Sequence, residues 1–339
     1  MPAKTSQRVR PAVRRREMEI MSFPAGAGGF ISASNVSAHL RAEPGSALVP
    51  TGILNSSELF TARVFGDLRA LATKEARIVL GAAVADDVLG LMDHLAGRGI
   101  NCPRPIHGRD GNALRTLAGK PAAITSFLEG MWPRRMTVAH CGPIGEALAG
   151  LHLAGRDFAL RRPNALSVSG WRPLYEGCKG HIERELDEEL GTEIAFFEEN
   201  WPRDLPAGVI HADLFNDNVF FLHDRLSGLI DFYFACNDFL AYDVSICLNA
   251  WCFEPDNAFN ATKARALLQA YDGVRKLGDD ERRLMPMLAR GAALRFLLTR
   301  LYDWVNTPKD ALVKRKDPKE YLAKMRFHRG VTSMADYGL

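Results

Sequence analysis

The sequence predicts an α+β fold of two lobes, a small one built on a mixed sheet and a larger, mainly helical one. Three observations predict it. The chain has 339 residues, which at roughly 150 residues per domain leaves room for two units. Short apolar runs of strand character concentrate before residue 130, while long stretches with helical spacing of apolar residues fill most of the chain beyond it. The composition is 47% hydrophobic and 24% charged, enough to build a core without disulfide support.

The elements run in order along the chain. Residues 1–50 read as a disordered extension, basic at first and then rich in Gly, Ala and Ser. Lys4, Arg8, Arg10, Arg14, Arg15 and Arg16 against Glu17 and Glu19 account for the formal charge of +3, so the rest of the chain is near neutral and carries no footprint of a nucleic-acid partner. The first lobe occupies 51–130. Strands are expected there at 59–65 and 77–80, then a helix over 86–95 ending at Gly97 or Gly99. A hairpin over 105–117, turning at Arg109, Asp110, Gly111 and Asn112, and a buried strand over 122–128 close the lobe. The second lobe, 131–339, opens with a helix over 139–154 whose Ile144, Leu148, Leu151 and Leu153 share a face. One or two charged surface helices are expected over 180–200, and short strands at 209–210, 219–222 and 228–232. Helices over 240–252, 261–274, 279–305 and 321–337 complete the chain. The longest apolar run, 78–85, is too short to span a bilayer. The six cysteines contain no CxxC pair, which argues against a zinc cage or a disulfide framework and for a cytoplasmic protein.

The sharpest feature is His211, Asp213 and Asn218 in the pattern HxDxxxxN, followed by an apolar run that ends at Asp231. Phosphoryl transfer from ATP needs one carboxylate beside the attacking hydroxyl, and a second carboxylate with an amide oxygen to hold Mg²⁺ against the phosphates. A loop between two short strands brings three such groups into one small space. On this reading Asp213 is the base and Asn218 and Asp231 are metal ligands. His211 braces the loop, and Asp217 is a turn or ion-pair residue.

The segments VIHADLFNDNVFF and LIDFYFACNDFLAYDVS resemble the catalytic segments of the aminoglycoside phosphotransferase-like kinases, which share the two-lobed protein-kinase fold. PAAITSFLEGMW, RPNALSVSGW, ICLNAWCFE and RGAALRFLLTRLYDW bring the resemblance closest to the bacterial homoserine kinases of that group, from about Gly90 to the C-terminus. The resemblance implies a bilobal protein-kinase-like fold. It implies transfer of a phosphoryl group from ATP, with Mg²⁺, to L-homoserine, giving O-phospho-L-homoserine on the way to threonine. It carries the roles of Asp213, Asn218 and Asp231 as above. It also implies an interlobe hinge at Ser126, Phe127, Leu128 and Glu129, whose backbone meets the adenine.

Homoserine is a zwitterion, so its pocket should offer a cation to the carboxylate and an acid to the ammonium. Arg295, in an apolar helical run, is the candidate cation, with a structural ion pair to Asp243 or Asp303 as the alternative. Asp238 or Asp243 is expected to meet the ammonium, although Asp243 is equally suited to bracing. Tyr233, Trp251, Asn164 and Asn249 are further pocket candidates. Residues 1–85 do not read as the family's usual N-terminal text. The turn over the phosphates is expected near 51–58 and its basic partner at Lys74 or Arg77, while the Gly-rich 25–29 reads as linker. Either the lobe has diverged and kept its fold, or a shift of start or frame has left a defective lobe on an intact catalytic one. Two functional alternatives accompany the reading: a kinase of choline, ethanolamine or another amino alcohol, and a catalytically impaired kinase-like protein.

Overall fold

Four short strands, β1 (Ile53–Leu54), β2 (Ala76–Leu80), β3 (Arg115–Leu117) and β4 (Lys120–Ser126), pair antiparallel in the order β1-β2-β4-β3. The computed structural model describes residues 53–54, 76–80, 85–117, 120–160, 162–307 and 315–339. The extension over 1–50, the strand at 59–65, Lys74 and most of the expected phosphate-covering turn lie outside these residues. Helix α1 (Asp86–Gly97) joins the sheet and makes the first lobe mixed. Its Val88, Leu89, Leu91, Met92, Leu95 and Ala96 are buried on one face, and Asp86 and Asp87 face the positive end of its dipole. The expected hairpin over 105–117 takes another form. Its turn is present, with the Gly108 amide on the Asn112 carbonyl at 3.0 Å. Its two arms, however, both pair along one edge of β4, Pro105 with Thr125 and Arg115 with Ala122. Pro105 has no amide to give to a ladder, and the longer β4 offers the carbonyls.

The larger lobe is built around α2 (Val138–Ala154), α5 (Leu240–Trp251), α6 (Ala261–Val274) and α7 (Asp279–Asn306). Helix α7, about 42 Å long, is buried almost all round between Gly291 and Thr299 and forms the spine of this core. Gly145 of α2 lies against α6 so closely that a Cβ there would be 2.2 Å from the Leu267 carbonyl oxygen. Ile144, Leu148 and Leu151 of α2 are buried as expected, but Leu153 is 37% exposed, because the helical turn carries it to the side opposite Ile144. Helix α8 (Lys319–Arg329) packs along α7.

Several boundaries differ from expectation. The charged stretch over 180–200 holds a single helix of the one or two expected, α4 (Arg184–Asn200), which starts four residues late. The expected strand at 228–232 ends earlier: β7 is Arg225–Leu229, and Phe232–Phe234 is a 3-10 turn because Asp231 adopts a left-handed φ of 67° and breaks the strand. The helix expected over 321–337 stops at Arg329, and a separate 3-10 turn covers Met334–Tyr337. Neither α3 (Val168–Glu176) nor β8 (Cys236–Phe239) has a counterpart in the sequence reading, and β1 falls where a turn is expected. The residues of β8 (Cys, Asn, Asp, Phe) have little strand preference, and the strand exists because its backbone pairs with β5 (Ala207–Ile210).

Candidate active site

The HxDxxxxN segment leaves β5, crosses a loop and enters the hairpin of β6 (Val219–Leu222) and β7 through a 3-10 turn at Asn216–Asn218. The loop is held by its backbone. Ala212 has a φ of 63°, a left-handed conformation that costs a residue with a Cβ about 1–3 kcal/mol. It is clamped from both sides. Its amide donates to Asp243 Oδ1 at 2.9 Å and its carbonyl accepts from Arg295 Nη1 at 2.5 Å. Asp243 Oδ2 accepts the His211 amide at 2.7 Å and lies 3.0 Å from His152 Nε2, whose Nδ1 lies 2.8 Å from the Tyr271 hydroxyl. Burial pushes the Asp243 carboxyl up, but the His152 hydrogen bond, the two neighbouring histidines and the His211 amide outweigh it and leave the group below its usual range.

The His211 ring fixes the next turn. Its Nε2 is 3.0 Å from the Ile230 carbonyl and its Nδ1 is 3.3 Å from the Asp213 amide. A carbonyl only accepts and an amide only donates, so the ring is the neutral Nε2–H form, and burial holds its pKa below the ordinary value. This histidine braces the loop, as the sequence reading expects.

Asp213 is 2% exposed. Asn218 Nδ2 donates to its backbone carbonyl at 2.8 Å and to its Oδ2 at 3.2 Å. With Nδ2 committed, Asn218 Oδ1 is the amide atom left to face a metal. Burial raises the Asp213 carboxyl to about 7, against the lowering charge of Arg295. Asp231 opens the 3-10 turn beside it, and the Ile230 amide on the Asn218 carbonyl at 3.0 Å ties the two segments together. The Asp231 Oδ1 atom is sealed from solvent without a hydrogen-bond partner among the described residues, as is Asp217 Oδ1. Burial, then Asp213, then Asp217, push the Asp231 carboxyl far up. Carboxylates that repel one another while an oxygen stays unpaired fit a site completed by a cation. Among the described residues no group of three or more His, Cys, Asp or Glu is set to cage a metal. Mg²⁺ is ordinarily held by one or two carboxylates together with substrate phosphates, and Asp231 with Asn218 fits that donor set.

The expected hinge runs past this site. The Ser126 amide donates to Arg104 at 2.8 Å, and its Oγ accepts the Arg104 amide at 2.9 Å. The Glu129 carbonyl accepts from Ser227 Oγ at 2.7 Å, and Met131 exchanges two backbone hydrogen bonds with Phe221. Gly130, at φ +132°, passes so close to the β6–β7 hairpin that a Cβ would be 2.3 Å from Ser227 Oγ. Phe127 and Leu128 lie between these staples, and no described residue hydrogen-bonds the Leu128 backbone.

The acceptor candidates divide. Asp238 is half-buried beside β5, accepts from Asn164 Nδ2 at 2.7 Å, and is raised by burial. Tyr233 follows Asp231 in the 3-10 turn; burial and then the Asp231 charge push its phenol up. Asp243 and Trp251, expected near the substrate, are fully buried. The Asp243 oxygens are taken by the loop amides and His152, and Trp251 Nε1 donates to the Leu214 carbonyl at 2.8 Å. Neither has a polar group left for a ligand; both brace the catalytic loop. Asn249 is likewise a core residue, donating to the Ser245 and Ala289 carbonyls. Arg295 is 2% exposed and stacked at 4.1 Å on Phe296. It lies beneath the loop, and among the described residues no carboxylate comes within ion-pair distance of it, so neither expected pair, with Asp243 or with Asp303, is formed. The sequence reading missed His152 and Tyr271. His152 stands out in retrospect as a polar residue on the buried side of α2.

The model of the phosphotransferase enzyme family matches residues 66–277. The match begins upstream of residue 85, so part of the stretch that departs from the family text falls inside it, including β2. The homoserine kinase of Rhizobium meliloti (strain 1021) is 61% identical over 261 residues, 75% of this chain and 80% of that one. The homoserine kinase of Bradyrhizobium diazoefficiens is 62% identical over 255 residues, 74% of this chain and 78% of that one. Among solved structures, a choline/ethanolamine kinase family protein from Mesorhizobium loti aligns with a TM-score of 0.55 at 14% identity, covering 78% of this chain and 84% of that one. The amicoumacin kinase hAmiN aligns with a TM-score of 0.53 at 13% identity, covering 75% and 80%. At such identities these two structures speak to the bilobal fold alone.

Proposed function

The chain belongs to the homoserine kinases of the phosphotransferase enzyme family, and from that premise we propose that Asp213, Asn218 and Asp231 carry out its reaction, the ATP-dependent phosphorylation of L-homoserine. The observation that carries this assignment is the convergence of a buried, Asn218-oriented Asp213 with an Asp231 oxygen that has no partner among the described residues, in one loop cluster. Asp213 orients the acceptor hydroxyl and takes its proton as the new O–P bond forms and the bond to ADP breaks. Asn218 Oδ1 and Asp231 would hold Mg²⁺, which when bound neutralises the phosphates and the charge that develops on transfer. Arg295 and Asp243 keep the left-handed Ala212 peptide in place, so that Asp213 needs no reorganisation to act. The hinge at Ser126, Phe127, Leu128 and Glu129 receives the adenine, and Asp238 and Tyr233 line the acceptor side. Among the described residues no helix is long and apolar enough to cross a membrane. The six cysteines are free and buried, which supports placing the reaction in the cytoplasm.

Replacing Asp213 by Asn keeps the shape of the loop and removes the base. The expected loss in kcat is about 10²–10⁴-fold, with thermal unfolding unchanged, read by coupled ADP release. Full activity in that variant contradicts the assignment of the base.

A further inference from the structure

Arg295, buried beneath the loop with one nitrogen on the Ala212 carbonyl, is poorly placed to meet a substrate carboxylate. A second cation is better placed. Lys316 lies in the segment that leads into α8, and its position is set by its neighbour. Arg315 Nη1 donates to the Trp304 carbonyl at 2.8 Å, and its guanidinium stacks over the Trp304 ring at 5.0 Å. Lys316 then reaches back to the catalytic loop. Its Nζ is 5.9 Å from the centre of the Phe215 ring and 3.9 Å from Asp217 Oδ2. That separation is too long for a hydrogen bond, and Lys316 donates none to any described residue, although its side chain is only 34% exposed. Asp217 is 24% exposed, and its other oxygen is sealed and without a partner among the described residues. A cation and an anion thus stand side by side, close but not hydrogen-bonded, the anion on the same loop as Asp213 and the cation reaching it from the segment before α8.

We propose that Lys316 and Asp217 clamp the zwitterionic end of the acceptor, Lys316 taking the α-carboxylate and Asp217 the α-ammonium. The proposal rests on the homoserine kinase reading above. The two charges of the acceptor sit on one carbon, matching an ion pair loose enough to open onto a ligand. The hydroxyl lies two methylene groups away, and Asp213 precedes Asp217 by four residues in the same segment. The pair makes specificity for an amino acid, over a plain amino alcohol, a property of this short constellation.

The test compares L-homoserine with 2-amino-1,4-butanediol, in which a hydroxymethyl group replaces the carboxylate, and with 4-hydroxybutanoate, which lacks the ammonium. In Lys316→Gln the KM for homoserine is expected to rise roughly 10- to 100-fold, the loss of one charge-assisted contact. The KM for ATP stays put, and the preference for homoserine over the amino diol collapses. Lys316→Arg retains most of that preference. In Asp217→Asn the preference for homoserine over 4-hydroxybutanoate collapses instead. A Lys316→Gln variant that slows homoserine and amino diol equally, or that lowers kcat with KM intact, overturns the proposal and assigns the lysine to the phosphates. A parent enzyme that turns over none of the three overturns the homoserine reading itself, and the clamp with it.

Discussion

Arg295 shows how one side chain serves the site by holding its backbone. Its guanidinium donates to a carbonyl held at a left-handed φ and lends a positive charge to Asp213. Asp213 is raised to about 7 by burial, and Arg295 opposes that rise. Removing the charge in Arg295→Met therefore pushes the Asp213 pKa higher. The base is then deprotonated only at higher pH, so the acidic limb of kcat/KM, which reports the free enzyme, moves to higher pH. A pH–rate profile of parent and variant checks this; an unmoved limb contradicts the coupling. At this scale the sequence was informative wherever the chemistry is local. Asp213, Asn218 and Asp231 are legible because one loop and one strand end carry them. His152 and Asp243, 91 residues apart, are not, because only the packing of α2 against α5 makes them partners. Arg295 was visible as an Arg among apolar residues, but its direction was not, since a helical wheel does not say whether a buried face meets a pocket or a backbone.

At the scale of elements, close backbone approach decides what the long helices can do. Gly145 lets α2 lie on α6, whose Tyr271 completes the hydrogen-bond chain through His152 to Asp243. A methyl group there meets a carbonyl oxygen at 2.2 Å, and a helix backbone cannot move aside cheaply. Gly145→Ala is expected to destabilise the fold by about 1–3 kcal/mol, seen as a lower thermal midpoint; an unchanged midpoint contradicts the close packing of α2 on α6. The helices α2 and α5 to α7 were legible to within a residue or two. The short elements β8 and α3 were not, because their residues lack strand or helix preference and the pairing partner or the tertiary surface makes the element. The break after Arg329 was missed for a related reason. The apolar and aromatic residues on both sides of it feed one aromatic cluster of Phe253, Phe259, Phe327, His328 and Tyr337, so the pattern continues where the helix does not.

At the scale of the molecule, the two-lobed reading holds, and the family match reaches back to residue 66. The antiparallel pairing of β1, β2 and β4 puts a sheet where the sequence text departs most from the family. A backbone ladder tolerates such divergence because its bonds do not depend on side chains. The proposed base, metal ligands, hinge and acceptor residues must all work for one turnover, so a single assay interrogates them together. The most direct measurement is coupled ADP release by the purified chain with Mg-ATP and L-homoserine, with choline and with no acceptor. Turnover with L-homoserine alone, abolished by chelation of the metal, is the predicted result. Turnover with choline, or ADP release that does not depend on homoserine, would contradict the account.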